Sequence, residues 1–522
     1  MEVSEEELSK TNRKIKANIL TVSGATGLGV VVGLVFEIIA VGKVGLSGSG
    51  DAYFIAYSLP PFFLALTANA QVVFTTAFAK QSSAATNDHD LFSLTNCSLT
   101  FCGLLAVLAT ILVVLFARPI ILMLSPGSES AVQEEAEVIL RILAWLPALT
   151  LPGCVGSALL ASHEKFLVSS TQNLTRYSVA TLFVIANPWS LSAANCLASG
   201  LVLGVLVQVV VVFVACYFQM GYAPRIRLGF SDPKIRSILQ TLVVVSPSVV
   251  IRYLPTYAQR VIGSFLPQGS IAAIAIASRF QGPATTVFLG SITTATLPRL
   301  SSLLAHRNSP AIRDLIGMTW HRLNLVSIPL VALLVSLNTP LLRLLFERGR
   351  VGSQDIILIA PIAIAFNLGL LFRGHLSLSS EYFIAANKRR TVLFIYAAIT
   401  VLELLFQFLF VLIFGLVGIG IAFSLSLTIV AFFSNRKIGS EHQLSFVGAM
   451  TKDWYPLAVG AIIGVLAYFT YQVVSASFPG PSIPSEFARL TGICFVAFVA
   501  YYVICVFFKK QPADACVAEQ SQ

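Results

Sequence analysis

One long apolar run follows another along almost the whole of this chain, and each is long enough to cross a bilayer. A segment buried in hydrocarbon needs about 20 predominantly apolar residues and must satisfy its own backbone hydrogen bonds, so such runs have to be helices. They fall at 18–41, 52–79, 91–117, 135–160, 166–187, 193–217, 237–266, 270–298, 315–337, 355–379, 391–413, 415–434, 453–474 and 487–508. The expected fold is an all-α polytopic membrane protein with about fourteen transmembrane helices, spans 1 to 14 in chain order. With 56% hydrophobic and only 11% charged residues, no water-soluble architecture could cover these runs.

The charges sort by side. Lys10, Arg13, Lys14 and Lys16 precede span 1, and Arg225, Arg227, Lys234 and Arg236 lie between spans 6 and 7. Arg299, Arg307 and Arg313 follow span 8, Lys388, Arg389 and Arg390 follow span 10, Arg436 and Lys437 follow span 12, and Lys509 and Lys510 end span 14. The opposite loops hold Lys43, Arg118, Arg348 and Arg350. The positive-inside rule therefore puts both termini in the cytoplasm. The net charge of +10 is a matter of topology, and no nucleic-acid partner is expected. The N-terminal segment lacks a small-residue cleavage site and reads as a cytoplasmic lead-in.

No Walker loop, HExxH or GxSxG sequence occurs, so no soluble-enzyme signature is present; the transporter reading, with no enzymatic step, comes from the repeat and the resemblance below. The eight cysteines lie mostly in apolar runs without metal-type spacing and read as small hydrophobes. Neither a metal nor another cofactor is expected; coupling to the membrane potential or to a monovalent cation is.

An internal repeat divides the chain. Sliding Gly50 onto Gly269 also matches Ile55-Ala56 with Ile274-Ala275, Lys80 with Arg299, and Ser82-Ser83 with Ser301-Ser302, without a gap. Parallel repeats suit a transporter of two lobes around a central site. The expected divisions are a cytoplasmic segment 1–17, an N-lobe 18–217 (spans 1–6), a cytoplasmic inter-lobe loop 218–236 and a C-lobe 237–434 (spans 7–12). An appended pair at 453–508 (spans 13–14) and a cytoplasmic tail 509–522 complete the chain.

Span 8 carries Arg279 about 13 Å along the helix from Ser270, close to the membrane midplane. A cation at that depth costs about 2.5–3.5 kcal/mol on insertion scales, which favours a polar cavity or an anionic partner. Gly282-Pro283 follows one turn later, a break tolerated where helices line a cavity.

Several of these stretches resemble one family. Gly50-Asp51-Ala52-Tyr53-Phe54-Ile55-Ala56 with Leu59-Pro60 is similar to the T-D-A-F-F-V-A-F-x-L-P segment of the lipid II flippases of bacterial cell-wall synthesis, the MurJ/MviN family. Ser264 to Ser270, Ser278-Arg279 and Ala295-Thr296-Leu297-Pro298 resemble its seventh and eighth helices, and Leu345 to Gly349 its L-F-x-x-G loop. The resemblance runs in order over most of the chain. It implies the multidrug/oligosaccharidyl-lipid/polysaccharide flippase fold, a cationic cavity for a pyrophosphate headgroup, and spans 13 and 14 as a groove for the lipid tail.

The departures bear on the site. Family members carry two arginines in a span 1 pattern like S-R-x-L-G-x-x-R-D. Here Gly33 and Glu37 remain, but Val30 and Phe36 replace the arginines. Leu64 stands where an arginine is expected in span 2, and Ser278 where an acid precedes the span 8 arginine. Span 7 offers Arg252 and Arg260, about 12 Å apart along the helix, as compensation. The candidate substrate-binding residues are therefore Arg279, Arg260 and Arg252, whose planar forks suit phosphate oxygens. Asp51 at the outer mouth and Glu37 in span 1 are the candidate gating acids. Glu403, Arg373 with His375, Arg141 and Arg176 also sit in apolar runs; structural pairing is the expectation for each.

The function implied is outward translocation of an undecaprenyl-pyrophosphate-linked peptidoglycan precursor, lipid II, by alternating access. The alternatives are a flippase for another lipid-linked oligosaccharide and a non-transporting scaffold in a cell-wall complex. Expected partners are the lipid-linked saccharide, membrane lipids and cell-wall synthesis proteins, around a monomer. In a cysteine-free background, an impermeant thiol reagent added outside should modify Ser128→Cys and spare Ser231→Cys; the reverse pattern would overturn the topology.

Overall fold

The structure, a computed structural model, describes residues 5–84, 88–229, 232–306, 309–452, 454–477 and 483–510. Of the terminal segments expected in the cytoplasm, 1–4 and 511–522 lie outside the described residues, as does Ser231. Every regular element among the described residues is helical, and they form two compact units, Met1–Ala272 and Ala273–Gln522.

The first unit holds α1 (Glu5–Val44), α2 (Gly48–Ala56), α3 (Leu59–Ala84), α4 (Asp88–Leu115), α5 (Ala117–Leu124), α6 (Ser130–Leu143) and α7 (Trp145–Ser162). After these come α8 (Phe166–Ser170), α9 (Gln172–Ala186), α10 (Ala193–Met220), α11 (Pro233–Ser264) and the start of α12 (Ser270–Ala277). Local chemistry sets several ends. Ser192 caps α10 by accepting from the Asn195 amide, and Asp232 caps α11 ahead of Pro233, which cannot donate and so belongs in a first turn. α9 packs between α1 and α10, α7 takes α3 and α4, and α11 lies along α3. Phe74, Phe78, Leu159, Leu160 and Val212 form the core of this unit.

The second unit continues from α12 through a 3₁₀ turn (Ser278–Phe280), α13 (Gln281–Ala284), a π turn (Thr285–Leu289) and α14 (Gly290–Ala305). Next come α15 (Ser309–Ser336), α16 (Asn338–Phe346), α17 (Ser353–Leu368), α18 (Leu370–Ala385), α19 (Arg389–Phe414) and α20 (Leu416–Glu441). It ends with α21 (Phe446–Lys452), α22 (Trp454–Ser477) and α23 (Ile483–Lys510). The appended pair docks on α15. Gly460 and Gly464 of α22, a small-xxx-small spacing, let the backbone approach Ile328 and Ala332 closely. On their other faces α19 and α22 expose Phe408, Leu412, Phe414, Phe469 and Val473, an apolar surface that only hydrocarbon can solvate.

By length and apolar composition the described residues contain twelve helical stretches able to span a membrane, against the fourteen expected. Two of the expected spans, 5 and 8, fall short, although spans 2, 4 and 10 are also interrupted, at residues 57–58, 144 and 369. Span 5 is split at Thr171 into α8 and α9, and span 8 is broken by the 3₁₀ and π turns.

A polar clamp ties α18, α19 and α20 at one end of the second unit. The Tyr382 hydroxyl donates to Glu441 Oε2 (2.8 Å) and lies 2.7 Å from His442 Nε2, while Lys388 pairs with Glu441 Oε1 at 2.7 Å. His442 Nδ1 meets no partner among the described residues, so protonating it would strand a buried donor. Burial accordingly lowers the His442 pKa below its ordinary 6.5, with Glu441 opposing and Lys388 adding to the shift. The folded state then binds fewer protons than the unfolded chain, so this contribution is complete above about pH 6.5 and shrinks as pH falls. Thermal unfolding of the purified protein should lose stability as the pH falls below about 6.5, and His442→Gln should flatten that slope.

Candidate functional site

The two ends of the internal repeat meet in the first unit. Gly45, at φ 64°, turns the chain out of α1, and Ser47 caps α2 by accepting from the Gly50 amide. A side chain at Gly50 would press against the Gly45 carbonyl 2.2 Å away, and Gly269, at φ 90°, faces the Leu46 carbonyl. These two glycines are the pair that the repeat aligns. Asp51, the residue after Gly50, is 5% exposed and reaches across to the start of α12. Its Oδ2 accepts from the Gly269 amide (2.7 Å) and its Oδ1 from the Ala272 amide (2.8 Å). The first amides of a helix have no partner within it, and its N-terminal end carries partial positive charge. A carboxylate there answers both needs, and each charge-assisted bond stabilises by about 1.5–3 kcal/mol.

Arg260 backs this latch. Buried in α11, it donates from Nη1 to the Ile271 carbonyl (3.3 Å), and its charge acts favourably on Asp51. Ser264 Oγ accepts from the Gly127 amide at 3.0 Å, pinning the 125–129 turn to the end of α11. Thus Asp51 and Arg260 come together around the α12 start. Arg252, two turns earlier on α11, is exposed. Between them Tyr253 and Tyr257 pack with Phe62, and the Tyr253 hydroxyl donates to the Pro61 carbonyl (2.9 Å). Glu37 Oε1 accepts at 3.4 Å from the hydroxyl of Tyr57, the residue that caps the end of α2.

Arg279 lies in the second unit, half-buried in the 3₁₀ turn. Pro283 has no amide hydrogen to give the Arg279 carbonyl, which is where the α-helical ladder fails. The π turn that follows returns the chain to helix, a distortion that recurs at functional sites. Gln281 Nε2 donates to the Phe366 carbonyl and ties the break to α17.

The remaining intramembrane charges divide by partner. Arg141 pairs with Glu137 (2.6 Å), which also takes Arg118 (3.3 Å). Glu403, buried, accepts from Gln407 Nε2 at 3.0 Å. His375 is fully buried with Phe372 and Phe446 around its ring, and Arg373 beside it is half-buried. Arg176, 7% exposed, bonds to a neutral amide, Gln208. Phe36, one of the two vacated arginine positions, is buried against Tyr177 at 5.6 Å between ring centres. The sequence singled out Asp51 but not its partners, because those are main-chain amides that carry no side-chain signal. The alignment of Gly50 with Gly269 was the trace they left.

A family profile for the lipid II flippase MurJ matches residues 40–484. The chain belongs to this family. Its relatives include the probable lipid II flippase MurJ of Synechocystis sp., 26% identical over 481 residues, which span 88% of this chain and 87% of that protein. The probable lipid II flippase MurJ of Vibrio cholerae is 25% identical over 442 residues, 80% of this chain and 82% of that one. The solved lipid II flippase MurJ in its inward closed conformation matches with a TM-score of 0.73 at 19% identity, over 94% of this chain and 99% of the other. An inward-facing multidrug resistance MATE family transporter of the MOP superfamily matches at 0.69 and 15% identity, over 78% and 95%. The chain thus has the fold of these transporters and is a multi-pass bacterial membrane protein.

The latch makes a direct prediction. Asp51→Ala should raise hydrogen exchange at the Gly269 and Ala272 amides by about 10- to 100-fold, the equivalent of one charge-assisted bond, while leaving α15 and α20 unchanged. Asp51→Asn should fall between, since it keeps one acceptor oxygen. Unchanged exchange in Asp51→Ala would remove the latch.

Proposed function

We propose that this protein is a flippase that carries an undecaprenyl-pyrophosphate-linked peptidoglycan precursor, lipid II, outward across the bacterial inner membrane by alternating access. The observation that carries the reading is membership of the MurJ family over residues 40–484. The relatives' names favour lipid II over another lipid-linked saccharide and over a scaffolding role. Translocation needs no covalent step, so the protein is a transporter and not an enzyme, serving cell-wall biogenesis and cell shape. It would act as a monomer with cytoplasmic termini and with cell-wall synthesis proteins as neighbours.

In this reading the two lobes are 18–217 and 237–434, joined by the 218–236 loop, and 453–508 holds the lipid tail. The pyrophosphate needs cations when it leaves water, because an unpaired anion in a low-dielectric site is far costlier than any one contact returns. Arg279, Arg260 and Arg252 supply them. The broken ladder supports Arg279 best, since it places a half-buried guanidinium at an irregular turn within an apolar span. Asp51 and Glu37 are the gating acids: releasing the α12 amides from Asp51 opens the outer turn. The membrane potential or a monovalent cation provides the coupling, with no resident cofactor.

Flipping of lipid II in proteoliposomes tests this. Arg279→Ala should abolish transport while leaving folding and insertion intact, because losing an intramembrane charge relieves an insertion cost. Arg279→Lys should keep part of the activity, having the charge without the planar fork. Wild-type transport by a well-folded Arg279→Ala would remove the cationic mechanism, and no flipping of lipid II by the wild type would sink the function.

A further inference from the structure

A chain of polar side chains runs through the middle of the first unit and ends on a cation. Ser157 of α7 donates to the Gly153 carbonyl (2.9 Å), so its oxygen is left to accept from Gln172 Nε2 (2.7 Å). Gln172 Oε1 then faces Gln208 Nε2 (3.1 Å), and Gln208 Oε1 faces Arg176 Nε (2.9 Å). One backbone carbonyl therefore sets the direction of every bond in the series, and the series delivers an acceptor to the Arg176 guanidinium. The delivery uses only the Nε edge. The terminal Nη1 and Nη2 groups donate to no described residue, and no carboxylate pairs with Arg176 among the described residues.

Arg176 falls midway along the apolar run 166–187, which puts it near the middle of span 5. It is 7% exposed, and Gly204 of α10 comes so close that a Cβ there would sit 2.2 Å from the Arg176 carbonyl. Its guanidinium carbon stands 5.9 Å from the Tyr177 ring centre, and that ring packs on Phe36. A charge held at this depth by amides and an aromatic face is oriented but not neutralised. Arg260, the other buried arginine described in this unit, has the charge of Asp51 acting on it.

We infer that Arg176 is an anion subsite whose free Nη fork takes a phosphate-type oxyanion at mid-membrane depth, with the Gln208–Gln172–Ser157 series as its positioning support. Two parallel N–H donors match two oxygens of a phosphate, whether it belongs to a pyrophosphate-linked lipid or to an ordinary anionic phospholipid. The subsite is independent of Arg279 and deepens the flippase reading only if the first source proves correct.

Binding of undecaprenyl pyrophosphate and of phosphatidylglycerol to the full-length protein, measured by native mass spectrometry, tests it in wild type, Arg176→Gln, Arg176→Lys, Gln208→Glu and Arg279→Ala. Folding of each variant is checked by thermal unfolding. Arg176→Gln should weaken the bound anion about tenfold, and Arg176→Lys should recover part of that. Gln208→Glu places a carboxylate against the guanidinium; it should raise thermal stability and exclude the anion, which keeps the idea testable if Arg176→Gln misfolds. Loss confined to undecaprenyl pyrophosphate assigns the subsite to the lipid-linked substrate, and loss confined to phosphatidylglycerol assigns it to a membrane lipid. Well-folded Arg176→Gln and Gln208→Glu that bind both probes like wild type overturn the subsite. Weakening by Arg279→Ala in that case would leave the headgroup reading standing without it.

Discussion

Hydrocarbon offers a peptide group no water to bond with, and the whole structure follows from that constraint. It forces helices along nearly the entire chain, and it makes each departure from helix conspicuous because some other group must complete the bonding. The start of α12 is such a departure. Its first amides would go unsatisfied on their own, and the Asp51 carboxylate from α2 receives that of Ala272 together with the Gly269 amide just before the helix. The break at Arg279 is another, where Pro283 withholds its bond and 3₁₀ and π turns absorb the mismatch. Both lie in span 8, and both couple backbone bonding to a charge.

Charge obeys the same constraint more severely. An ion at membrane depth must find a counter-ion, reach an interface, or face a polar space. The described arginines sort by these routes. Arg141 has Glu137 and Arg260 has Asp51, so those cations are matched within their unit. Arg252 is exposed. Among the described residues Arg176 has only an amide partner, Gln208, which separates it physically from the others although all four looked alike as letters in apolar runs. The same distinction bears on span 1, where Phe36 fills with an aromatic ring the place that family members give to a cation.

Small residues decide how close these elements come. Gly50 and Gly269 let two turns share carbonyl space that a Cβ would occupy, so the latch depends on them as much as on Asp51. Gly204 brings α10 onto α9 at the level of Arg176, and Gly460 with Gly464 seats the appended pair on α15. In a solvent that gives apolar side chains no reason to prefer one another, such close approach supplies the dispersion contacts that hold helices together.

Much of the architecture was legible in the sequence, because hydropathy reports directly on the one requirement that matters in a bilayer. The all-helical class, the positions of most of the long helices and the family all came from local residue patterns. The helix count did not: spans 166–187 and 270–298 are apolar enough to be expected, yet their backbones are interrupted at Thr171 and around Pro283 in ways that hydropathy does not register. Partnership was equally hidden. Whether an intramembrane arginine meets a carboxylate, a carbonyl or only amides depends on residues far away in the chain, such as Gln208 for Arg176 or Ile271 for Arg260. The sequence by itself determined where the chain enters helix, because that choice is made locally against the solvent. Only the tertiary structure decided which buried charges are satisfied, because electrostatic pairing acts through space and takes no account of order along the chain.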